Sequence, residues 1–136
     1  METLQIRKVI EQHLDSLKLE YKHDPERRLF YVNIIGKDRK KLPIMVSYSK
    51  NWVKVFIYLM NEKKVPEYVD RAIFYRLLLE ENFYTSGATY SMTENGSILA
   101  EKEIDTMSAL DLRIFRNCIR AVLYAARYFY KEILKI

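Results

Sequence analysis

Leu77-Leu78-Leu79-Glu80-Glu81-Asn82-Phe83-Tyr84, followed closely by Tyr90-Ser91-Met92-Thr93-Glu94-Asn95-Gly96-Ser97-Ile98, decides the fold. The first run closes a segment in which Val69, Ala72, Ile73 and Leu77 recur at helical spacing from Pro66, a residue suited to the first turn of a helix. The second reads as a hairpin. Strands over residues 88–93 and 97–103 flank Asn95-Gly96, the pair that most readily accepts the positive φ of a tight strand connection. A long helix follows to the C-terminus, opened by Ser108 and Asp111 at capping-box spacing, with Asp in place of the usual Glu. Helix, hairpin, helix predicts a sheet with helices packed on it.

Upstream, Ile6, Ile10, Leu14 and Leu17 recur at helical spacing over residues 2–19, and Asp24-Pro25 breaks that pattern. Leu29 to Ile35, Pro43 to Tyr48 and Trp52 to Met60 then read as strands, rich in β-branched and aromatic residues or alternating in polarity. The connections, Gly36 to Lys41 and Ser49-Lys50-Asn51, are short and polar, so an antiparallel meander is expected. The predicted order is α-β-β-β-α-β-β-α. It describes a single α+β domain over residues 1–136, with a five-stranded, mostly antiparallel sheet and the long C-terminal helix packed on it. There is no internal repeat, low-complexity tract or linker.

At 136 residues, 49% hydrophobic and 30% charged, the chain can bury one core and is not disordered in composition. No apolar run reaches the roughly 18 residues that a bilayer requires. Glu2 and Arg7 interrupt the N-terminus, where a signal peptide would be apolar. A cytoplasmic protein without membrane contact is expected. The single cysteine, Cys118, excludes an internal disulfide. Three glycines, eleven tyrosines and abundant Lys and Glu match the composition of thermophile proteins. A net charge of +5 permits nucleic acid or an acidic protein as partner.

The element order, the Leu-Leu-Leu-Glu-Glu-Asn-Phe turn, the Tyr90 to Ile98 hairpin and the long final helix together resemble the type III secretion chaperone-like fold, in particular its YbjN-like branch. The resemblance covers residues 1–130. It implies a compact α+β domain that often dimerises and, in the secretion chaperones, holds extended segments of a client protein.

Three surfaces carry the functional expectation. The strand from Trp52 to Met60 is apolar on both faces: Val53, Val55, Ile57 and Leu59 form one row, and Trp52, Phe56, Tyr58 and Met60 the other, interrupted by Lys54. One row belongs to the core; the other receives a protein partner, lies under helices on the second face, or is wet enough through Lys54 and the Tyr58 hydroxyl to face water. On the last helix the apolar zone exceeds half the circumference, and Ala121 and Ala125, four residues apart with Tyr128 beside them, allow close approach of another backbone. That backbone belongs either to a second copy or client, or to the N-terminal helix of the same chain. The opposite stripe carries Arg113, Arg116, Arg120, Arg127 and Lys131 around Tyr124, and the first strand connection carries Lys37, Arg39, Lys40 and Lys41. These cations are suited to phosphate or nucleic-acid contact, or are simply solvated.

Nothing in the chain composes a reaction site. His13 and His23 lack partners at metal-ligand spacing, Cys118 sits on an apolar helix face, and no Gly-rich phosphate loop exists. Paired carboxylates at Glu80-Glu81 and at Glu101 with Glu103 are explained by a helix end and a sheet surface. The expectation is therefore a non-enzymatic, cofactor-free protein-interaction module, homodimeric and chaperone-like, with Trp52, Phe56, Tyr58, Ala121, Ala125 and Tyr128 as partner contacts. The alternative is a small basic nucleic-acid-binding protein using the arginine stripe.

Overall fold

A computed structural model describes residues 2–35, 41–84 and 87–135, with the backbone alone for Lys41. The elements are α1 (Thr3–Ser16), β1 (Glu20–Asp24), β2 (Leu29–Ile35), β3 (Lys41–Tyr48), β4 (Trp52–Asn61), α2 (Arg71–Tyr84), β5 (Thr89–Met92), β6 (Ser97–Asp105), the single turn α3 (Thr106–Ala109) and α4 (Leu112–Tyr128). A 3-10 turn, Glu62–Lys64, leaves β4, and a π turn, Phe129–Ile133, ends α4. The strands form one antiparallel sheet in the order β1-β2-β3-β4-β6-β5.

The α+β class and the meander agree with expectation, but the sheet has six strands rather than five. The additional strand is β1, whose Tyr21 and His23 pair with Val32 and Phe30 while Glu20, Lys22 and Asp24 take the other face. Its alternation is short and mostly charged, so it resembles a connection; at a sheet edge that composition also discourages pairing with other chains. It begins earlier than the Asp24-Pro25 break because α1 stops at Ser16. Lys18 adopts φ +57°, and the Leu19 amide reaches back to the Leu14 carbonyl at 3.0 Å, closing the helix with a left-handed residue.

Helix α2 begins at Arg71 and not at Pro66. Asp70 caps it, its Oδ1 accepting from the amides of Ala72 and Ile73 at 2.9 and 3.2 Å. Pro66 instead opens a turn closed by the Val69 amide. The buried face is Phe74 and Leu78, while Ala72 and Ile73 of the expected stripe lie exposed. Residues 72–79 are apolar around most of the helix, so spacing alone did not choose the face. Helix α4 is capped by Asp111 itself, whose Oδ1 accepts from Arg113 and Ile114, while Ser108 belongs to the preceding turn capped by Asp105.

The core lies between the sheet and its helices. Ile6, Ile10 and Leu14 of α1 and Phe115, Ile119, Val122 and Ala126 of α4 are buried, as are Phe30, Val32, Ile44, Val46, Val53, Val55, Ile57, Ile98 and Ala100 on one face of the sheet. α1 lies over β1 and β3, α4 over β4 and β6, and α2 against β5. His13 Nε2 lies 2.8 Å from the Ala109 carbonyl, and its ring packs against Phe115, so α1 is tied to the start of α4.

The Asn95-Gly96 turn forms as expected, with Gly96 at φ +84° and its carbonyl accepting from the Glu62 amide at 2.8 Å. A Cβ at Gly96 would come 2.8 Å from Glu62 Cγ. The Glu62 carboxylate also accepts from the Tyr75 hydroxyl at 2.7 Å, which fastens the hairpin to α2. At the sheet edge, Asn82 Nδ2 donates to the Tyr90 carbonyl at 2.9 Å and its Oδ1 accepts from the Tyr90 amide at 2.6 Å. One side-chain amide thus occupies both outward backbone groups of Tyr90. Asn82→Ala is expected to lower stability by about 1–3 kcal/mol in urea denaturation and to increase aggregation; Asn82→Asp, which removes the donor, should lose a similar amount.

Candidate partner-binding surfaces

All helices described lie against the same face of the sheet, so the second face is open. Across it, Tyr31 pairs with Met45 and Met45 with Phe56, a cross-strand apolar row. Next to it Tyr58 pairs with Leu99, and Tyr58 is 45% exposed. Trp52 and Phe56 are half-buried by their neighbours. Lys54 supplies polarity between them: its Nζ lies 4.0 Å from Glu101 Oε2 and 5.6 Å from the centre of the Trp52 ring. Val53, Val55, Ile57 and Leu59 form the buried row of the same strand.

A second surface runs beside α4. A cleft of about 620 Å³ is lined by Glu81 and Tyr84 at the end of α2, by Gly87 and Ala88, and by Asn117, Arg120, Ala121, Tyr124 and Ala125 of α4. A smaller depression of about 260 Å³ shares Gly87, Asn117 and Ala121 and extends over Ile114 and Cys118 to Lys102 and Ile104 of β6. Its floor is apolar, and Tyr84, 77% exposed, stands at the rim with Tyr124. The backbone that approaches Ala121 within the chain is that of Gly87, where a Cβ would meet Ala121 Cβ at 3.2 Å. Ala125 is buried, and its carbonyl accepts from the Tyr90 hydroxyl at 2.7 Å. Tyr128 is half-buried; burial, then the Glu81 carboxylate that accepts from it, push its phenol upward.

A third apolar surface escaped the sequence reading. Beyond Phe74 and Leu78, α2 turns Ile73, Leu79 and Phe83 outward at 58%, 70% and 83% exposure. The signal was present in the unbroken run Leu77-Leu78-Leu79 but carried no direction until the helix was seated.

Of the cations, Arg113, Arg120 and Arg127 are exposed, while Arg116 is half-buried with its Nε lacking a partner among the described residues. The ion pairs described, Arg7 with Glu11, Arg27 with Asp24, Lys54 with Glu101 and Arg76 with Glu80, leave this stripe unneutralised. Arg120 reaches the cleft rim. Lys37, Arg39 and Lys40 lie outside the described residues, as does the side chain of Lys41. Cys118 forms part of the floor of the smaller depression, its thiol pushed up by burial, which makes it a poor nucleophile. Among the described residues no group of three or more His, Cys, Asp or Glu is placed to hold a metal ion, and no helix is long and apolar enough to cross a membrane.

The fold is similar to that of solved structures. The HopA1–SchA chaperone–effector complex matches with a TM-score of 0.64 at 16% identity, covering 92% of this chain and 92% of that one. The fold is that of the type III secretion chaperones. The ExsC–ExsE complex matches at 0.63 with 12% identity over 96% and 95% of the two chains. The Yersinia pestis type III secretion chaperone SycH, in complex with a stable fragment of YscM2, matches at 0.63 with 8% identity over 92% and 99%. No family model and no curated protein matches the sequence.

Tyr90 controls the seat of α4 beside the cleft. Burial pushes its phenol far above the ordinary value of 10.0, with Glu81 adding to the shift. The folded state therefore keeps a proton that the unfolded chain releases, so this contribution is complete below pH 10 and is lost as pH rises beyond it. Tyr90→Phe is expected to cost about 1 kcal/mol at neutral pH and to make the loss of stability above pH 10 shallower, measured by urea denaturation across that range.

Proposed function

We propose that this chain is a non-enzymatic, chaperone-like protein-binding module that works as a homodimer in the cytoplasm and holds an extended segment of a partner protein. The observation that carries this reading is the cleft beside α4, whose lining joins Ala88, Ala121 and Ala125 to the exposed rings of Tyr84 and Tyr124. Protein-binding sites of high affinity are built around such aromatic anchors, with charges at the rim setting orientation. Trp52, Phe56 and Tyr58 on the bare sheet face extend the surface available to a partner, and Ala121 forms part of the floor of the cleft. The outward face of α2, with Ile73, Leu79 and Phe83, supports self-association. The three structural neighbours support the protein-binding role: each was solved as a complex with another protein.

A second reading rests on the arginine stripe, which lacks ion pairs among those described and has Tyr124 among its members. In that reading Arg113, Arg116, Arg120 and Arg127, with Lys37, Arg39, Lys40 and Lys41, contact a nucleic-acid backbone.

Photocrosslinking from Ala121 separates the two. A photoreactive residue there, with one at the exposed Glu94 of the hairpin turn as control, is expected to yield a discrete protein adduct in cells and none from the control. Capture should persist as salt is raised from about 0.05 to about 0.5 M, because apolar burial is not screened, whereas phosphate-driven binding falls by orders of magnitude over that range. Adducts to nucleic acid that vanish with salt favour the second reading. Light scattering should give twice the chain mass, reverting to a monomer in Leu79→Glu; a wild-type monomer at about 50 μM, where interfaces of ordinary strength are formed, removes the homodimer from the proposal.

A further inference from the structure

Where the first turn of α1, the β1–β2 connection and the end of β3 converge, a cleft of about 150 Å³ is lined by Thr3, Leu4, Arg7, Pro25, Arg28 and Tyr48. Two of these residues are cations, and none is a carboxylate. Arg7 gives its Nε to Glu11 Oε1 at 2.8 Å, a bond that leaves the two terminal nitrogens of its guanidinium uncommitted. Arg28 takes part in none of the ion pairs described, although the adjacent Arg27 pairs with Asp24 at 3.8 Å. Its backbone has φ +51° and closes the turn between the paired residues Asp24 and Leu29. Its carbonyl accepts from the Tyr48 amide at 3.2 Å, which fastens the turn to β3.

Tyr48 brings a hydroxyl to the same place. Burial lifts its phenol, Arg7 and Arg28 act in the opposite direction and Glu11 adds a smaller upward push, so both guanidinium charges are felt at that oxygen. The hydroxyl lies 2.7 Å from His23 Nε2, and the His23 ring packs on Phe30 with centroids 4.3 Å apart. His23 Nδ1 is buried with no hydrogen-bond partner. Burial, then Arg7, disfavour the imidazolium, with Glu11 and Asp24 opposing them. A neutral His23 that carries its proton on Nε2 donates to the tyrosine oxygen and leaves a bare acceptor at Nδ1. The other tautomer would strand an N–H donor there, the rarer and costlier defect. With the first tautomer the Tyr48 proton is free to point into the cleft.

We propose that this cleft binds a tetrahedral oxyanion of the phosphate class, held by the guanidinium groups of Arg7 and Arg28 and by the Tyr48 hydroxyl. A single guanidinium fork already satisfies a planar carboxylate, whereas a second fork and a phenol call for the additional acceptor oxygens of a phosphate. The volume of about 150 Å³ accommodates one such group. Free phosphate and a phosphorylated side chain of a partner present the same chemistry, and the test distinguishes them.

The full chain, labelled with ¹⁵N, is titrated with inorganic phosphate while chloride holds the ionic strength constant. Saturable shifts are expected at the amides of Thr3, Leu4, Arg28 and Leu29. Arg28→Gln should weaken binding by about tenfold or more, the scale of one charge-assisted contact. Arg27→Gln should leave it unchanged, because Arg27 does not line the cleft. A phosphoserine peptide that binds more tightly than inorganic phosphate identifies the anion as part of a partner chain, and equal affinity identifies it as a free ion. Shifts that never saturate, or an Arg28→Gln variant with a native spectrum and undiminished affinity, overturn the proposal.

Discussion

One-sided cover of the sheet governs the rest of the molecule. The helices described bury the row Val53, Val55, Ile57 and Leu59 and leave Trp52, Phe56 and Tyr58 on the side that no described helix covers. An antiparallel sheet in that position ordinarily turns polar residues to water. Here polarity is interleaved instead. Lys54 lies between Glu101 and the Trp52 ring, and Glu101 follows Phe56 in the cross-strand row. A half-buried pair held at 4.0 Å contributes on the order of 1 kcal/mol, so it adds polarity to the face without making it inert. The same face can therefore stand in water or yield to a partner.

Much of this was legible in the residues. Two apolar rows in one strand cannot both face a single layer of helices, and Asn95-Gly96 admits few conformations other than a tight turn, so β4 and the β5–β6 hairpin were readable from local chemistry. What escaped depended on contacts made far along the chain. β1 has five residues, three of them charged, and becomes a strand only because β2 is its neighbour and α1 its lid. The buried face of α2 is selected by where Phe74 meets Phe129, a choice that a helix apolar on most sides cannot announce. The cleft beside α4 is assembled from α2, the residues before β5 and α4, so no segment carries its signature. Ala121 was readable as a place of close approach, but whose backbone approaches there depends on Gly87, 34 positions earlier.

The C-terminal helix is positioned by tyrosines as much as by its apolar face. The Tyr90 hydroxyl donates to the Ala125 carbonyl, and the Tyr130 hydroxyl to the Leu59 carbonyl at 2.5 Å. The two bonds bind the end of the helix to β5 and β4, on either side of β6. Where they attach, α4 widens into the π turn Phe129–Ile133, which keeps Phe129 and Ile133 buried while Tyr130 reaches its strand. π turns are uncommon and arise where side-chain demands override regular spacing. The demand here comes from placing buried and bonded residues one after another.

Charge and apolar surface then divide their roles around the α4 cleft. Burying an aromatic side chain such as that of Tyr84 or Tyr124 gains about 2 kcal/mol, while an exposed arginine at the rim gains at most about 1 kcal/mol against a carboxylate and loses that in salt. Affinity for a protein segment would thus come from the tyrosines and the floor, and Arg120 would set direction and encounter rate. An arginine stripe devoted to phosphate would work most strongly on a face with no apolar cleft beside it. Arg113 and Arg127 are placed that way only in part, because Ile114 and Tyr128 flank them on the same helix. The mixed character of α4 is consistent with the proposed hold on a partner chain, because its apolar side chains would supply affinity and its charges would keep the empty surface solvated.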